Sequence, residues 1–377
     1  MKGKVNILTH PLVANYGGLL QAYALQRVLL GIEFPSVIFD HAMLKESEST
    51  GFLGKVADSI RLLELRLGIR FRHTRLVPDC YRKIGRGFHR FLNRKFYRSL
   101  ADCEGDYDAF RPWVVGSDQV WRCEYANFMQ SISTYFLSFL PSEVRRKSIA
   151  YAASFGTDVW EGTPEETEEC RNLLQQFKAV SVREHSGVKI CNDVFGVEAV
   201  QMPDPTLLAT ADDYAHIIQS EKTRVPSKSY LAAYVLDSSP AIKELLAAAG
   251  RGLSRYIQSL MPDIQSAKCC DRFPVSVAQW LRYIRDCEYF ITDSFHGCVF
   301  AIIFNKPFVC LGNESRGSAR FDSLLQTFGL QNRLISEPTP EKVQRILQTP
   351  IDWEYVNSVH DAERKRGIAF LKENLSE

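Results

Sequence analysis

Short apolar or β-branched runs alternate along most of this chain with stretches whose apolar residues recur at helical spacing, the pattern of parallel sheets built from strand–helix–strand units. In the first half the runs "KVNILT", "SVIFD", "PWVVGS", "SIAYAAS", "AVSVR" and "EAVQMP" predict strands. Helices are predicted from Leu19 to Gly31, through "ETEECRNLLQQF" and at "SGVKICNDVFG". After "MPDPTLLAT" the alternation restarts, with strands "SYLAAYVL", "RYIQSL", "YFITD" and "PFVCL" interleaved with helices "AIKELLAAAG", "VAQWLRYIRDC", "GCVFAIIFN" and "ARFDSLLQTFG". Two successive α/β blocks follow, one over 1–208 and one over 209–350, joined near Asp204 to Thr210. The spacing of Trp353, Val356, Val359, Ile368 and Leu371 predicts one more helix within 351–377, which can pack back on the first block.

Region 42–100 breaks the alternation. Its apolar residues (Ile60, Leu63, Leu67, then Tyr81, Ile84, Phe88, Phe91, Leu92, Phe96) fall at helical spacing, which predicts a helical insert of two amphipathic helices. Twelve of its residues between Arg61 and Arg98 are basic, against Glu64 and Asp79 alone. A solvated basic face is the plain expectation. A platform over 60–98 for an anionic surface, such as bilayer headgroups, a polyprenyl diphosphate or a charged glycan, is the sharper one.

At 377 residues the chain is long enough for two domains, and two domains imply a cleft. A composition 45% hydrophobic and 24% charged is that of an ordinary globular protein and argues against disorder. The net charge of +2 points to no partner, and no nucleic-acid motif is present. The ten cysteines are scattered without a CxxC pair, as expected of reduced thiols in a cytoplasmic protein. The start of the sequence lacks the apolar core of a signal peptide, and no apolar run approaches the roughly 20 residues that span a bilayer. Peripheral contact with the inner face of the membrane stays open through the basic insert.

Chemistry is expected at polar corners where buried strands end, because α/β proteins bind ligands outside the carboxyl ends of their strands. In "HPLVANYGGLLQAYALQ", Asn15, Tyr16, Gly17 and Gly18 precede a strong helix, whose free N–H groups favour an anion or a hydroxyl; the alternative is a turn capped by Asn15. In "VVGSDQVW", Ser117 and Asp118 end a strand, and Asp118 can steer or deprotonate a hydroxyl or simply cap a helix. In "AVSVREHSG", Arg183 stands before Ser186 at a helix start, an anion site unless Arg183 is spent on Glu184 or another local acid; His185 is expected in solvent. In "TDSFHG", His296 lies between two apolar runs with Asp293 or Ser294 placed to fix its tautomer. Arg316 and Arg320 in "ESRGSARFDSLL" offer a further cationic patch. No HExxH, CxxC or carboxylate run has metal-ligand spacing, and there is no GxSxG, GxGxxG or Walker pattern, so neither metal nor resident cofactor is expected.

Taken in order, "NYGGLLQAYALQ", "VVGSDQVW", "YAASFG", "SVRE", "DPTLL", "TDSFHG" and "RFDSLL" resemble the polysaccharide pyruvyl transferase family over nearly the whole chain. The resemblance implies a GT-B-like architecture of two Rossmann-like domains facing a cleft. It also implies transfer of a pyruvyl unit from phosphoenolpyruvate, as donor substrate, onto a hydroxyl pair of a sugar, giving a cyclic ketal in surface or exopolysaccharide biosynthesis. The family's donor-engaging arginine and histidine correspond to Arg183 and His296. On this view His296→Ala or Arg183→Ala abolishes transfer and leaves the fold intact. The acceptor, whether lipid-linked, nucleotide-linked or polymeric, is not specified. Two competing expectations are a GT-B nucleotide-sugar glycosyltransferase and a non-catalytic glycan- or membrane-binding protein.

Overall fold

A computed structural model describes residues 4–12, 15–41, 84–97, 110–128, 131–222, 226, 228–237, 239–263, 273–312 and 319–376. The first sheet has seven parallel strands: β1 (Val5–Leu8), β2 (Ser36–His41), β3 (Arg94–Tyr97), β4 (Trp113–Val115), β5 (Ile149–Ala153), β6 (Ala179–Val182) and β7 (Val200–Gln201), in the order β3-β2-β1-β4-β5-β6-β7. Helices α1 (Tyr16–Gly31), α2 (Pro164–Leu174) and α3 (His185–Asp193) accompany it. The second sheet is also parallel, in the order β12-β11-β10-β8-β9. Its strands are β8 (Tyr230–Tyr234), β9 (Tyr256–Ser259), β10 (Tyr289–Thr292), β11 (Phe308–Leu311) and β12 (Leu334–Ile335). With it go α4 (Pro240–Gly252), α5 (Val277–Asp286), α6 (Phe295–Ile303), α7 (Ala319–Thr327) and α8 (Pro340–Gln348), and the chain closes in the long α9 (Trp353–Leu375).

Each sheet has one place where the strand order reverses. In the first sheet β1 lies between β2 and β4; in the second, β8 lies between β10 and β9. Chain crossovers diverge there, and the gap they leave at the carboxyl ends of the strands is where such folds bind ligands. The completely buried strands β1, β4, β5 and β8 explain why they read as short apolar runs without alternation.

The two units share one core. Val5, Ile7, Ile38 and the apolar face of α1 belong to the same buried cluster as Phe290, Phe308, Val299 and, from α9, Phe370 and Leu371. At the seam Tyr16 stacks on Trp280 with ring centroids 5.4 Å apart, and its hydroxyl donates to the Val275 carbonyl at 2.6 Å. An aromatic pair of this kind contributes about 1 kcal/mol beyond its buried area.

Helix α9 braces the segment that leads out of β7. The Arg366 guanidinium donates to the carbonyl and to the side-chain oxygen of Gln201, and Arg364 donates to the Leu208 carbonyl. At Gly367 side chains pack so closely on the helix that a Cβ would lie 2.4 Å from the Tyr151 hydroxyl and 2.5 Å from Leu208 Cδ2. That hydroxyl in turn donates to the Pro203 carbonyl at 3.1 Å.

Part of the insert departs from the expected helices. Residues 84–88 are helical and His89–Phe91 continue as a 3₁₀ turn, but Arg94–Tyr97 form the edge strand β3. The Gln26 amide of α1 holds both backbone groups of Asn93, donating to its carbonyl and accepting its N–H, and so delivers the chain to β2 in register. Phe96, assigned from spacing to an apolar helix face, is 52% exposed on that edge. Two of the basic residues have partners from distant segments: Arg94 pairs with Asp40, and Arg90 reaches Ser220 and Glu221. The remainder of region 42–100, residues 42–83 and 98–100, lies outside the described residues, as does Arg316. Strand β12 and helix α8 were not read from the sequence pattern.

Candidate functional site

The corners that follow β1, β4, β6, β7 and β10 converge where the two units meet, and they bring together His10, Asp118, Arg183, Asp204 and His296. Two of these corners, after β4 and β10, belong to the strands flanking the switch points. His296 sits in the first turn of α6, which begins at the cap formed by Ser294, whose Oγ accepts from the Gly297 N–H at 3.4 Å. Its ring crosses to the other unit. Gly17, in the first turn of α1, has no room for a Cβ, which would stand 2.0 Å from His296 Nδ1.

Buried carboxylates organise the centre. Asp204 accepts from the Arg183 guanidinium at 2.9 Å, lies 3.2 Å from the Ser117 hydroxyl, and stands 3.5 Å from His296 Nε2. Its other oxygen accepts from the Thr206 N–H and hydroxyl, capping a 3₁₀ turn. Burial by itself would raise this carboxyl, but His296, Arg183 and the Thr206 hydroxyl outweigh it and hold Asp204 well below the usual carboxylate range. Asp118 has a left-handed backbone, φ 70°, and its Oδ1 is 3.8 Å from Arg183 Nη2. Burial opposes its charge too, yet the His10 and His296 imidazoles and the Arg183 guanidinium leave it lowered. A carboxylate held down in this way accepts hydrogen bonds well and removes protons poorly.

Arg183 is 2% exposed. It is not spent on Glu184, whose carboxylate accepts from the Ser154 hydroxyl and the Phe155 and Gly156 N–H groups and so fixes the "YAASFG" corner. While Arg183 Nη1 is taken by Asp204, Nε and Nη2 have no hydrogen-bond partner, and neither does the neighbouring Ser186 hydroxyl in the first turn of α3. Phe295 forms a floor beneath the Arg183 guanidinium, 4.5 Å from its ring centroid, with Arg320 of α7 at 5.9 Å from the same ring. Burial and the nearby Arg183 lower Arg320 to about 10, still charged at neutral pH.

Several residues expected to bind ligand have other duties. Tyr16 is buried in the domain seam, Gly17 makes room for His296, and the Asn15 side chain accepts from the Gly17 N–H as a helix cap. Gly18 faces Asp118, with a Cβ position 3.4 Å from its Oδ2. Asp293 accepts from the Leu236 and Asp237 N–H groups and ties β10 to the end of β8; the carboxylate at the His296 ring is that of Asp204. His185 is exposed, as expected. Sequence reading missed His10, Glu184 and Asp204. His10 is held by the Tyr135 hydroxyl at 3.0 Å, and burial lowers its pKa despite the nearby Asp118. The signal for His10 was the one used for His296, a polar residue just past a buried strand; that for Asp204 was the "DPTLL" turn at the junction of the blocks. Among the described residues, no cluster of His, Cys, Asp and Glu could hold a metal ion, and no helix is long and apolar enough to cross a membrane.

Fold and site together define a GT-B-like protein: two Rossmann-like units with a polar site at their junction. Solved structures with this architecture include Staphylococcus aureus MnaA with UDP (12% identity, 100% of this chain and 98% of that one, TM-score 0.52). Another is the UDP-N-acetylglucosamine 2-epimerase of Neisseria meningitidis bound to UDP-GlcNAc (10% identity, 100% and 99%, TM-score 0.51). A putative enzyme of the same description from Listeria monocytogenes aligns similarly (12% identity, 97% and 91%, TM-score 0.51). At these identities the likeness concerns the fold alone. Among curated proteins none matches significantly. The sequence profile of the polysaccharide pyruvyl transferases matches residues 15–315, and the chain belongs to that family. The family is one of transferases that join a pyruvyl donor to a sugar acceptor.

Proposed function

We propose that this protein transfers the pyruvyl group of phosphoenolpyruvate to two hydroxyls of a sugar, forming a cyclic ketal and releasing phosphate. The observation that carries the reading is the Arg183 guanidinium, buried at the junction of the units beside His296 and Arg320, with no hydrogen bond made by Nε or by Nη2, whose nearest carboxylate oxygen is that of Asp118 at 3.8 Å. Buried donors of this kind are costly unless something fills them, and a guanidinium fork matches a carboxylate or phosphate. The Ser186 hydroxyl in the first turn of α3, which has no hydrogen-bond partner, extends the same anion site.

In the proposed reaction the His296 imidazolium gives its proton to the methylene carbon of the donor, and the C2 cation that results is attacked by one sugar hydroxyl. Phosphate then leaves with the C2–O bond electrons, and the second hydroxyl closes the ring. Of the two hydroxyl protons released, one restores the imidazolium and the other leaves with phosphate. Asp118 orients the acceptor. Arg183 and Arg320 hold the donor's charges throughout. The scheme uses no metal and no resident cofactor. A sugar acceptor carried on a lipid would bring the protein to the membrane surface, where the residues over 60–98 are the proposed contact.

Phosphate release from phosphoenolpyruvate, measured against a panel of galactosides, glucosides and N-acetylmannosaminides with wild type and His296→Ala, tests the proposal. Acceptor-dependent release that disappears in the variant is expected. Release with no acceptor of the panel, together with binding of a nucleotide sugar, would replace this reading by a glycosyltransferase.

A further inference from the structure

We propose that Asp204 is the positioning residue for His296: its buried carboxylate receives the Nε2–H of the ring, so that Nδ1, beside Gly17, is the nitrogen that holds and delivers the proton. This deepens the pyruvyl-transfer reading and rests on it for the chemical step. Three observations lead to it. Nε2 is buried and 3.5 Å from Asp204 Oδ2, an ion-pair contact at the outer limit of a hydrogen bond, as is common before a substrate tightens a site. The face of the ring at Nδ1 packs on the first turn of α1, where only a glycine leaves space for it, and the Nδ1 edge is left for a ligand. Asp293 and Ser294, the residues nearest in sequence that could orient the ring, are committed to backbone N–H groups.

The charges around the ring give the arrangement its purpose. His296 is faced by Asp204 from the turn after β7, by Asp118 from the corner after β4, and by Arg183 from the corner after β6, with Phe295 of its own helix and Arg320 of α7 just beyond. Two arginines and two aspartates nearly cancel. An anionic donor is therefore met by net positive charge only when the ring carries its second proton. In the balanced step, the Nδ1–H bond breaks as the donor's methylene takes the proton, and the ring is left neutral with Nε2–H still directed at Asp204.

The tautomer is read without any substrate by nitrogen NMR of protein labelled with ¹⁵N-histidine, the His296 signals being assigned from their loss in His296→Gln. A neutral ring protonated at Nε2 in wild type is expected; a ring protonated at Nδ1 overturns the proposal, whether or not the protein uses phosphoenolpyruvate. Asp204→Asn keeps the oxygen that caps the Thr206 turn and removes the charge at the ring. The Asn amide then faces the ring as a donor, so the neutral ring should switch to protonation at Nδ1 and phosphate release should fall by about tenfold or more. An Asp204→Asn protein that melts normally and keeps the wild-type tautomer and turnover refutes the role. A wild type that releases no phosphate refutes the pyruvyl reading and leaves the NMR result to decide the positioning.

Discussion

Gly17→Ala tests the contact on which the whole site depends. A Cβ at residue 17 would lie 2.0 Å from His296 Nδ1, whereas ordinary contact begins near 3.4 Å, so the imidazole must withdraw by about 1.4 Å or α1 must shift. Overpacking of this sort costs about 1–3 kcal/mol, offset by the roughly 0.5–1 kcal/mol that alanine gains over glycine in a helix. A net loss of about 1–2 kcal/mol is expected. The effect on turnover is larger, because a displacement of about 1 Å in a reacting group costs on the order of 100-fold. Gly31→Ala is the control: the same helix, the same substitution, and no atom within 4 Å of the new Cβ. Thermal melting and phosphate release should show Gly31→Ala unchanged or slightly stabilised, and Gly17→Ala slightly destabilised with turnover down by about two orders of magnitude. A Gly17→Ala protein with wild-type melting and wild-type turnover would refute the packing of the ring against α1.

Other substitutions separate binding from structure. Arg183→Ala was expected from sequence to spare the fold; since it strands Asp204 and Asp118 in the interior, denaturant unfolding should instead show a loss of about 3–5 kcal/mol along with the loss of transfer. Arg320→Ala removes a buried cation beside Arg183, so the KM for phosphoenolpyruvate should rise about tenfold or more; an unchanged KM would take Arg320 out of the donor site. Asp118 and Asp204 are depressed in the folded state, so their contribution is complete above the unfolded value near 4 and is lost as pH falls through the lower folded values. The melting temperature should hold from pH 7 to about 5 and fall below 4, less steeply in Asp204→Asn. Gly367→Val forces a side chain onto the Tyr151 hydroxyl and Leu208, and calorimetry should show a destabilised protein with reduced activity, since the displaced segment carries Asp204.

Hydrophobic patterning located nearly every central strand because each is buried on both faces and short, as in β1, β5 and β8. The edge strand β3 escaped it for the converse reason. "RKFY" exposes Lys95 and Phe96, and what makes it a strand is the Gln26 amide from a helix far away in sequence. In the site, Arg183, Asp118 and His296 were legible as polar residues where apolar runs stop. Asp204 was not, since a carboxylate before a proline has a sufficient local explanation as a turn cap, and its long-range partners arise only when β6 and α6 fold against it. Glycines were read in the right place and for a different reason: at residue 17 the group that comes close is the protein's own imidazole.

The core shared between the sheets makes the two Rossmann-like units a single cooperative body. Tyr16, Trp280 and the residues around them belong to neither unit alone, and α9 adds Phe370 and Leu371 to the same cluster. Opening a hinge here would expose that aromatic seam to water, a cost that disfavours a large swing of one unit against the other. Heat should accordingly melt both sheets in one transition, and changes in acceptor preference are to be sought in the loops at the mouth of the cleft while the seam behind them stays as it is.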